Sequence, residues 1–125
     1  MATSPVGRLR LSRSMRLQSS RDFLHTRETG RRKTRGCLVL NWCGAAGGVG
    51  SRVGVIASRR VGPAVVRNRA RRLLREAFRL HQNLLRQPLT VVLVARPSIA
   101  GMSFGEVERD YLSVLRDSGL LVGNS

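Results

Sequence analysis

The sequence predicts one α/β domain, in which helical and strand segments follow one another along the chain. Apolar residues recur at the spacing of one helix face in residues 63–85 and again in residues 103–118. Between them, residues 89–95 form a continuous apolar run rich in β-branched side chains, which is typical of an interior strand. A length of 125 residues fits a single domain with one modest core.

The first half of the chain predicts a short helix followed by two strands. The serines at 19–20 are suitable N-caps for a helix that Gly30 would end. The apolar segments 37–42 and 52–57 are typical of strands, and the glycine-rich stretch 44–51 predicts an antiparallel hairpin between them. This stretch lacks the Gly-Lys-Ser/Thr ending of a phosphate-binding loop, and no helix follows it directly.

The second half predicts two helices around one strand. Pro63 suits the first turn of a helix that runs to about Leu85. Ser103 and Glu106 form a capping-box pattern at the start of the last helix, which Gly119 would end. The inner face of that helix is expected to contain Phe104, Val107, Tyr111, Val114 and Leu115.

The helix predicted from Pro63 has an apolar face and an opposite face of arginines. At about 100° per residue, the apolar arc contains Val66, Ala70, Leu73, Leu74, Ala77, Phe78 and Leu80. The opposite arc contains Asn68, Arg71, Arg72, Arg75 and Arg79. Guanidinium groups are planar, always charged and able to bind phosphate through two donors. Because neighbouring like charges cost stability without an anionic partner, this face predicts a nucleic-acid-binding surface.

The overall charge supports this interpretation. The chain has 23 Lys and Arg against 7 Asp and Glu, a formal net charge of +16 and a pI of about 12.0. A basic patch on a domain with a pI above 9 is the electrostatic footprint of a nucleic-acid-binding protein. A generally basic surface or an anionic membrane partner is the alternative explanation.

The pattern along the chain also predicts its organisation and compartment. Residues 1–17 are arginine-rich without the apolar core of a secretory signal, which predicts a flexible basic arm that orders on RNA, with a transit peptide as the alternative. We expect one RNA-binding domain over 18–120 and a tail over 121–125. No segment approaches 18 consecutive apolar residues, so no transmembrane helix is expected. No membrane partner is expected for the RNA-binding domain. Cys37 and Cys43 lack a partner pair for zinc and are expected as reduced thiols in the cytoplasm.

The ionisable residues predict neither a catalytic centre nor a metal site in this chain. His25 and His81 lie on separate predicted helices, where surface or capping roles are expected. Glu76 is expected to pair with Arg72 one turn earlier. No two carboxylates are spaced convincingly for a metal-assisted nuclease. The acids of the last helix are expected to be solvated: Glu106, Glu108, Asp110 and Asp117.

Residues 58–79, SRRVGPAVVRNRARRLLREAFR, closely resemble the bacterial ribonuclease P protein component. That family has a V-G-x-A-V turn followed by a basic helix of RNR type. The matching residues here are Val61, Gly62, Ala64 and Val65 in the turn, and Arg67, Asn68, Arg69, Arg72, Arg75 and Glu76 in the helix. RDFLHTRETG resembles the first helix of the family, and RVGVIASRR and VVLVARP resemble the strands that flank the basic helix. The chain departs from the family in its glycine-rich loop at 44–50 and its longer N-terminal arm.

The resemblance implies an α+β two-layer sandwich, with a four-stranded sheet and a left-handed β-α-β crossover through the basic helix, against the general right-handed rule. It implies an RNA-binding subunit of ribonuclease P, in which a catalytic RNA removes the 5′ leader from precursor tRNA. Magnesium would be bound mainly by the RNA, and no small-molecule substrate is expected. A structural RNA-binding protein of ribosomal type is the alternative, and the composition fits both equally.

The resemblance also implies which side chains meet RNA. Phe23 is expected in the cleft that receives the single-stranded leader, where an aromatic ring can stack on a base; ordinary core packing is its alternative role. The catalytic RNA and the cleavage region are expected to face six residues of the helix: Arg67, Asn68, Arg69, Arg71, Arg72 and Arg75. Three further residues are expected to bind RNA: Arg59, Arg60 and Arg79.

Overall fold

The computed structural model describes residues 15–17, 19–45 and 50–122. Most of the predicted N-terminal arm and the end of the predicted tail therefore lie outside the described residues. The helices and strands are α1 Ser20–Thr29, β1 Arg31–Arg35, β2 Leu38–Gly44, β3 Arg52–Ile56, α2 Ala64–His81, β4 Leu89–Ala95 and α3 Phe104–Asp117. Short 3-10 turns occur at Arg59–Val61, Gln82–Leu84 and Pro97–Ile99.

The four strands form one mixed sheet in the order β1-β2-β4-β3. β1 pairs with β2 and β2 with β4 in antiparallel register, whereas β3 and β4 are parallel neighbours. Because parallel neighbours need a long crossover, α2 connects these two strands. The mixed sheet with three helices confirms the predicted α+β fold. The left-handedness of the β3-α2-β4 crossover stays a prediction from the resemblance.

The predicted hairpin between residues 37–42 and 52–57 is wrong. β4 lies between these two strands, and β2 instead forms a hairpin with β1 through Gly36, whose φ is +55°. β1 was not predicted as a strand, because its sequence RRKTR has no apolar alternation and all five residues are exposed. β4 takes the interior position because Val91, Val92 and Leu93 are fully buried, which suits a strand with neighbours on both sides.

One face of the sheet packs against α2 and α3 to form the main core. The buried residues of α2 are Ala70, Leu74, Ala77 and Phe78, all on its predicted apolar arc. On α3, Val107, Tyr111, Val114 and Leu115 are buried and Phe104 packs against the core, as predicted. The capping box of Ser103 and Glu106 is present in full. α2 ends at His81, earlier than predicted, and a 3-10 turn continues to Leu84.

α1 lies on the opposite face of the sheet. Ser19 caps the helix by accepting a hydrogen bond from the Arg21 amide at 3.2 Å. Gly30 ends it as predicted, and its amide donates to the Thr26 carbonyl at 3.0 Å. Thr26 is buried, and its Oγ1 lies 3.7 Å from the Cys43 sulfur. The position of this helix beside β3 creates the cleft described below.

The carboxylates expected to be solvated on α3 have partners in the fold. Asp110 accepts a hydrogen bond from the Cys37 amide at 3.0 Å and lies against Gly36 in the β1–β2 turn. Two further α3 carboxylates pair across elements: Asp117 with Arg35 at 2.9 Å and Glu108 with His81 at 2.7 Å. The expectation of a solvated acid was therefore wrong for Asp110, whereas Asp117 stays exposed in its pair and Glu108 is half-buried. The three carboxylates join α3 to the β1–β2 hairpin and to α2.

Candidate nucleic-acid interface

A cleft of about 470 Å³ lies where α1, the edge strand β3 and α2 meet. Phe23 lines the cleft from α1, Val53 and Val55 line it from β3, and Arg75 lines it from α2. The cleft therefore combines an apolar wall with a guanidinium group, which are the two features that bind a base and a phosphate of single-stranded RNA.

Phe23 is held in this cleft by its contact with the sheet. It lies in the first turn of α1, and its ring lies over Gly54 of β3. A Cβ added at Gly54 would lie 2.5 Å from Cε1 and Cζ of the ring. Glycine inside a strand often marks such a close approach, so the Gly in RVGVI was the signal for this contact that sequence reasoning missed. Phe23 is half-buried and lies outside the main core cluster.

Arg16 and Leu17 line the cleft beside the edge strand β3. The Leu17 amide donates to the Val53 carbonyl at 2.8 Å, and Arg16 forms a parallel bridge with Val53. This pairing brings Arg16 into the cleft with Arg75. Sequence reasoning placed Arg16 in the flexible arm and did not include it among the site residues, because a short backbone pairing to an edge strand leaves no periodic signal.

Arg75 is the basic residue of α2 that lies in the cleft. Its pKa is lowered from the usual range, first by burial and then by repulsion from Arg16 and Arg71. These same effects destabilise the charged guanidinium, so an anion placed between the arginines would be attracted. The cleft is thus electrostatically suited to a phosphate group.

Several other basic side chains of α2 are held by hydrogen bonds. Arg67 Nε donates to the Gly62 carbonyl at 3.1 Å. Arg71 donates to Asn68 Oδ1 at 2.7 Å and to the Ala57 carbonyl at 3.4 Å. These contacts orient the guanidinium groups beside the end of β3 and leave further donors for an external anion. The first turns of α2 therefore present arginines in fixed positions.

The predicted site residues do not form one uniform surface. Arg79 donates to both carboxylate oxygens of Glu76, at 2.9 and 2.6 Å, and this ion pair replaces the expected pair of Glu76 with Arg72. The carboxylate offsets the charge of Arg79 at the far end of α2.

The other predicted residues differ in exposure. Arg69 is half-buried. The exposed members of the predicted set are Arg59, Arg60, Asn68 and Arg72. We call the set Arg59, Arg60, Arg67, Asn68, Arg69, Arg71, Arg72 and Arg75 the basic surface.

Neither a metal cage nor a membrane span occurs in the described part of the chain. Among residues 15–17, 19–45 and 50–122, no three His, Cys, Asp or Glu side chains come together in a way that could hold a metal ion. In the same residues no helix is both long and apolar enough to cross a bilayer.

Comparison with known proteins identifies relatives over nearly the whole chain. The profile of the Ribonuclease P family matches residues 11–118. The Ribonuclease P protein component of Syntrophomonas wolfei is 32% identical over 115 residues, covering 92% of this chain and 96% of the relative. That of Symbiobacterium thermophilum is 35% identical over 111 residues, covering 89% and 96% of the two chains.

Solved structures show the same fold. The RNase P protein from Thermotoga maritima superposes with a TM-score of 0.71 at 27% identity, covering 80% of this chain and 94% of its own. The RNase P protein of Staphylococcus aureus superposes with a TM-score of 0.77 at 23% identity, covering 85% and 96%. The sheet order and helix positions described above are therefore those of a known protein fold.

Proposed function

Because the chain belongs to the ribonuclease P protein family, we propose that it is the RNA-binding subunit that assists a catalytic RNA in removing the 5′ leader from precursor tRNA. Family membership supports a role in tRNA processing rather than the alternative of a structural protein of ribosomal type. The single observation that carries the finer proposal is the cleft that Phe23 and Arg75 both line.

The leader is the part of the substrate that fits this cleft. A single strand exposes the flat faces of its bases, which stack on aromatic rings, while its phosphates are neutralised by arginine. A cleft of about 470 Å³ with one ring and two arginines offers both interactions to a short stretch of such a strand. A paired acceptor stem would not present a free base to Phe23, so the cleft favours single-stranded RNA.

The basic surface is the proposed docking site for the catalytic RNA. Its arginines flank the cleft, because Arg71 is bound to Ala57 at the end of β3 and Arg75 lines the cleft one turn later. A leader held in the cleft would thus lie beside RNA held on α2. In this arrangement the protein brings substrate and catalytic RNA together, a contribution of positioning rather than of reacting groups.

In this proposal, magnesium is bound mainly by the catalytic RNA. Mg²⁺ prefers oxygen ligands, and among the described residues no three or more His, Cys, Asp or Glu side chains come together that could hold a metal ion. We assign no step of the reaction to a metal held by this chain. The two free cysteines support a reducing, cytoplasmic setting for the complex.

Reconstitution tests the proposal. Precursor tRNA is incubated at low magnesium with a ribonuclease P RNA, with the full-length protein, or with both. We expect leader removal to be fast only with both, and the Arg71→Ala, Arg75→Ala double variant to reduce that stimulation. A circular dichroism spectrum checks that the variant is folded. Unchanged activity of the RNA when the protein is added, or cleavage by protein freed of RNA, would contradict the proposal.

A further inference from the structure

A second cavity, of about 360 Å³, lies near the opposite edge of the sheet from the Phe23 cleft. Arg31 of β1 and Trp42 of β2 line it, together with the buried Leu89 at the start of β4. β1 and β3 are the two edge strands of the four-stranded sheet, so roughly 14 Å of sheet separates them. The second cavity is therefore distinct from the cleft already described.

The side chains of this cavity suit a nucleobase. The strand register places Arg31 directly opposite Trp42, so both side chains lie on the same face of the sheet. Gln87 adds an amide with donors and an acceptor, and Ser118 adds a hydroxyl. The Ser118 Oγ is buried and has no hydrogen-bond partner among the described residues, so it is available to a ligand.

The strand leading from the cavity is positively charged. All of β1 is exposed, and Arg35 pairs with Asp117. Among the described residues, Arg31, Arg32 and Lys33 form no ion pair. Charges on an edge strand protect it from pairing with other strands, and this accounts for β1 alone. Protection of the edge strand does not explain why Arg31 also lines a cavity with Trp42, or why the described lining of that cavity has no acidic residue.

We propose that this cavity binds one nucleotide of single-stranded RNA, with the base on Trp42 and the neighbouring phosphates on Arg31 and Lys33. Arg31 and Lys33 are two residues apart on β1, so their side chains project to the same face. The site gives the protein a second contact with single-stranded RNA beyond the leader cleft. It requires RNA binding only, and it stands whether or not the chain assists in leader removal.

Trp42 provides a direct readout, because it is the only tryptophan of the chain. A short unstructured RNA is titrated into the full-length protein, and tryptophan emission is followed. We expect emission to change on binding in the wild type and also in a Phe23→Ala variant, whose first cleft is weakened. Arg31→Gln should weaken the RNA affinity that is measured by tryptophan emission. Trp42→Leu removes the fluorophore, so its affinity is measured by the anisotropy of a labelled RNA. This affinity should fall by at least about fivefold, the scale of one stacked base.

Arg109→Gln is the matched control, since it removes the same charge from an exposed position on α3. It should leave the affinity close to that of the wild type. Melting curves of all variants check that they are folded. The proposal is overturned if emission stays constant while anisotropy shows saturation, if Phe23→Ala abolishes the emission change, or if Arg31→Gln and Arg109→Gln behave alike. None of these readouts depends on catalytic RNA, so they are independent of the reconstitution experiment.

Discussion

The ring of Phe23 lies over Gly54, where a Cβ would approach within 2.5 Å of two ring carbons. The absence of a side chain at Gly54 thus allows α1 to place an aromatic residue against the edge strand, beside Arg75 of α2. This contact couples the position of the ring to the backbone of β3. The cleft therefore depends on the packing of α1, β3 and α2 together, and no single sequence motif forms it.

Gly54→Ala should disturb the cleft and the fold together. The added methyl would also lie 3.2 Å from the Leu17 Cβ, so the ring or the 15–17 segment must move. We expect the free energy of unfolding to fall by about 1–3 kcal/mol, the usual cost of overpacking, with weaker binding of leader-bearing tRNA. Denaturant titration and a binding assay measure the two effects.

Gly105→Ala is the control for this substitution. Its methyl would meet only Ser103 Oγ, at 3.9 Å, in the first turn of α3. Because alanine is a better helix former than glycine, this variant should be at least as stable as the wild type. Wild-type stability and leader binding in Gly54→Ala would show that the ring is not held against the strand.

The salt dependence of RNA binding should report on Arg71 and Arg75. Each phosphate neutralised contributes roughly 0.7 to 0.9 to the slope of log affinity against log salt. Replacing both arginines by alanine should therefore make the slope shallower by about one to two units. Replacing the exposed Arg86 and Arg109 removes the same charge elsewhere and should change the slope less. Equal slopes for the two double variants would exclude the Arg71–Arg75 part of α2 as the RNA-binding face.

The two cysteines should differ sharply in reactivity. Burial, followed by the hydrogen bond and charge of Asp110, raises the pKa of the Cys37 thiol from 9.0 to about 12. The neutral thiol therefore stabilises the fold fully below pH 9, and this stabilisation is lost as the pH rises from 9 towards 12. Mass spectrometry after alkylation at neutral pH should find Cys43 modified and Cys37 protected until the chain unfolds. Equal labelling rates of the two thiols in folded protein would contradict this.

Sequence periodicity predicted the elements that bury one continuous face. α2, β4 and α3 each carry an apolar pattern long enough to identify them, and the capping box located the start of α3 at Ser103. β1 was missed because an edge strand with five exposed residues buries no side chain that could create such a pattern.

Contacts between distant segments were not predictable in the same way. The hairpin expected between β2 and β3 was wrong because β4, far along the chain, forms more extensive pairs with both strands. The partner of Asp110 is likewise the Cys37 amide in a turn that the sequence did not reveal. The polar face of α2 was predicted as a uniform wall of arginines, yet the ion pair of Arg79 with Glu76 depends on rotamers that no spacing rule fixes.

The most direct test of the account compares two affinities of one variant. In the reconstituted complex, Phe23→Ala should weaken binding of precursor tRNA several-fold more than binding of mature tRNA, because a stacked base contributes about 1–3 kcal/mol. Leu24→Ala, at the exposed neighbouring position on α1, should leave both affinities unchanged. Equal losses for the two RNAs in Phe23→Ala, together with a large fall in melting temperature, would contradict the account and leave Phe23 with a packing role alone.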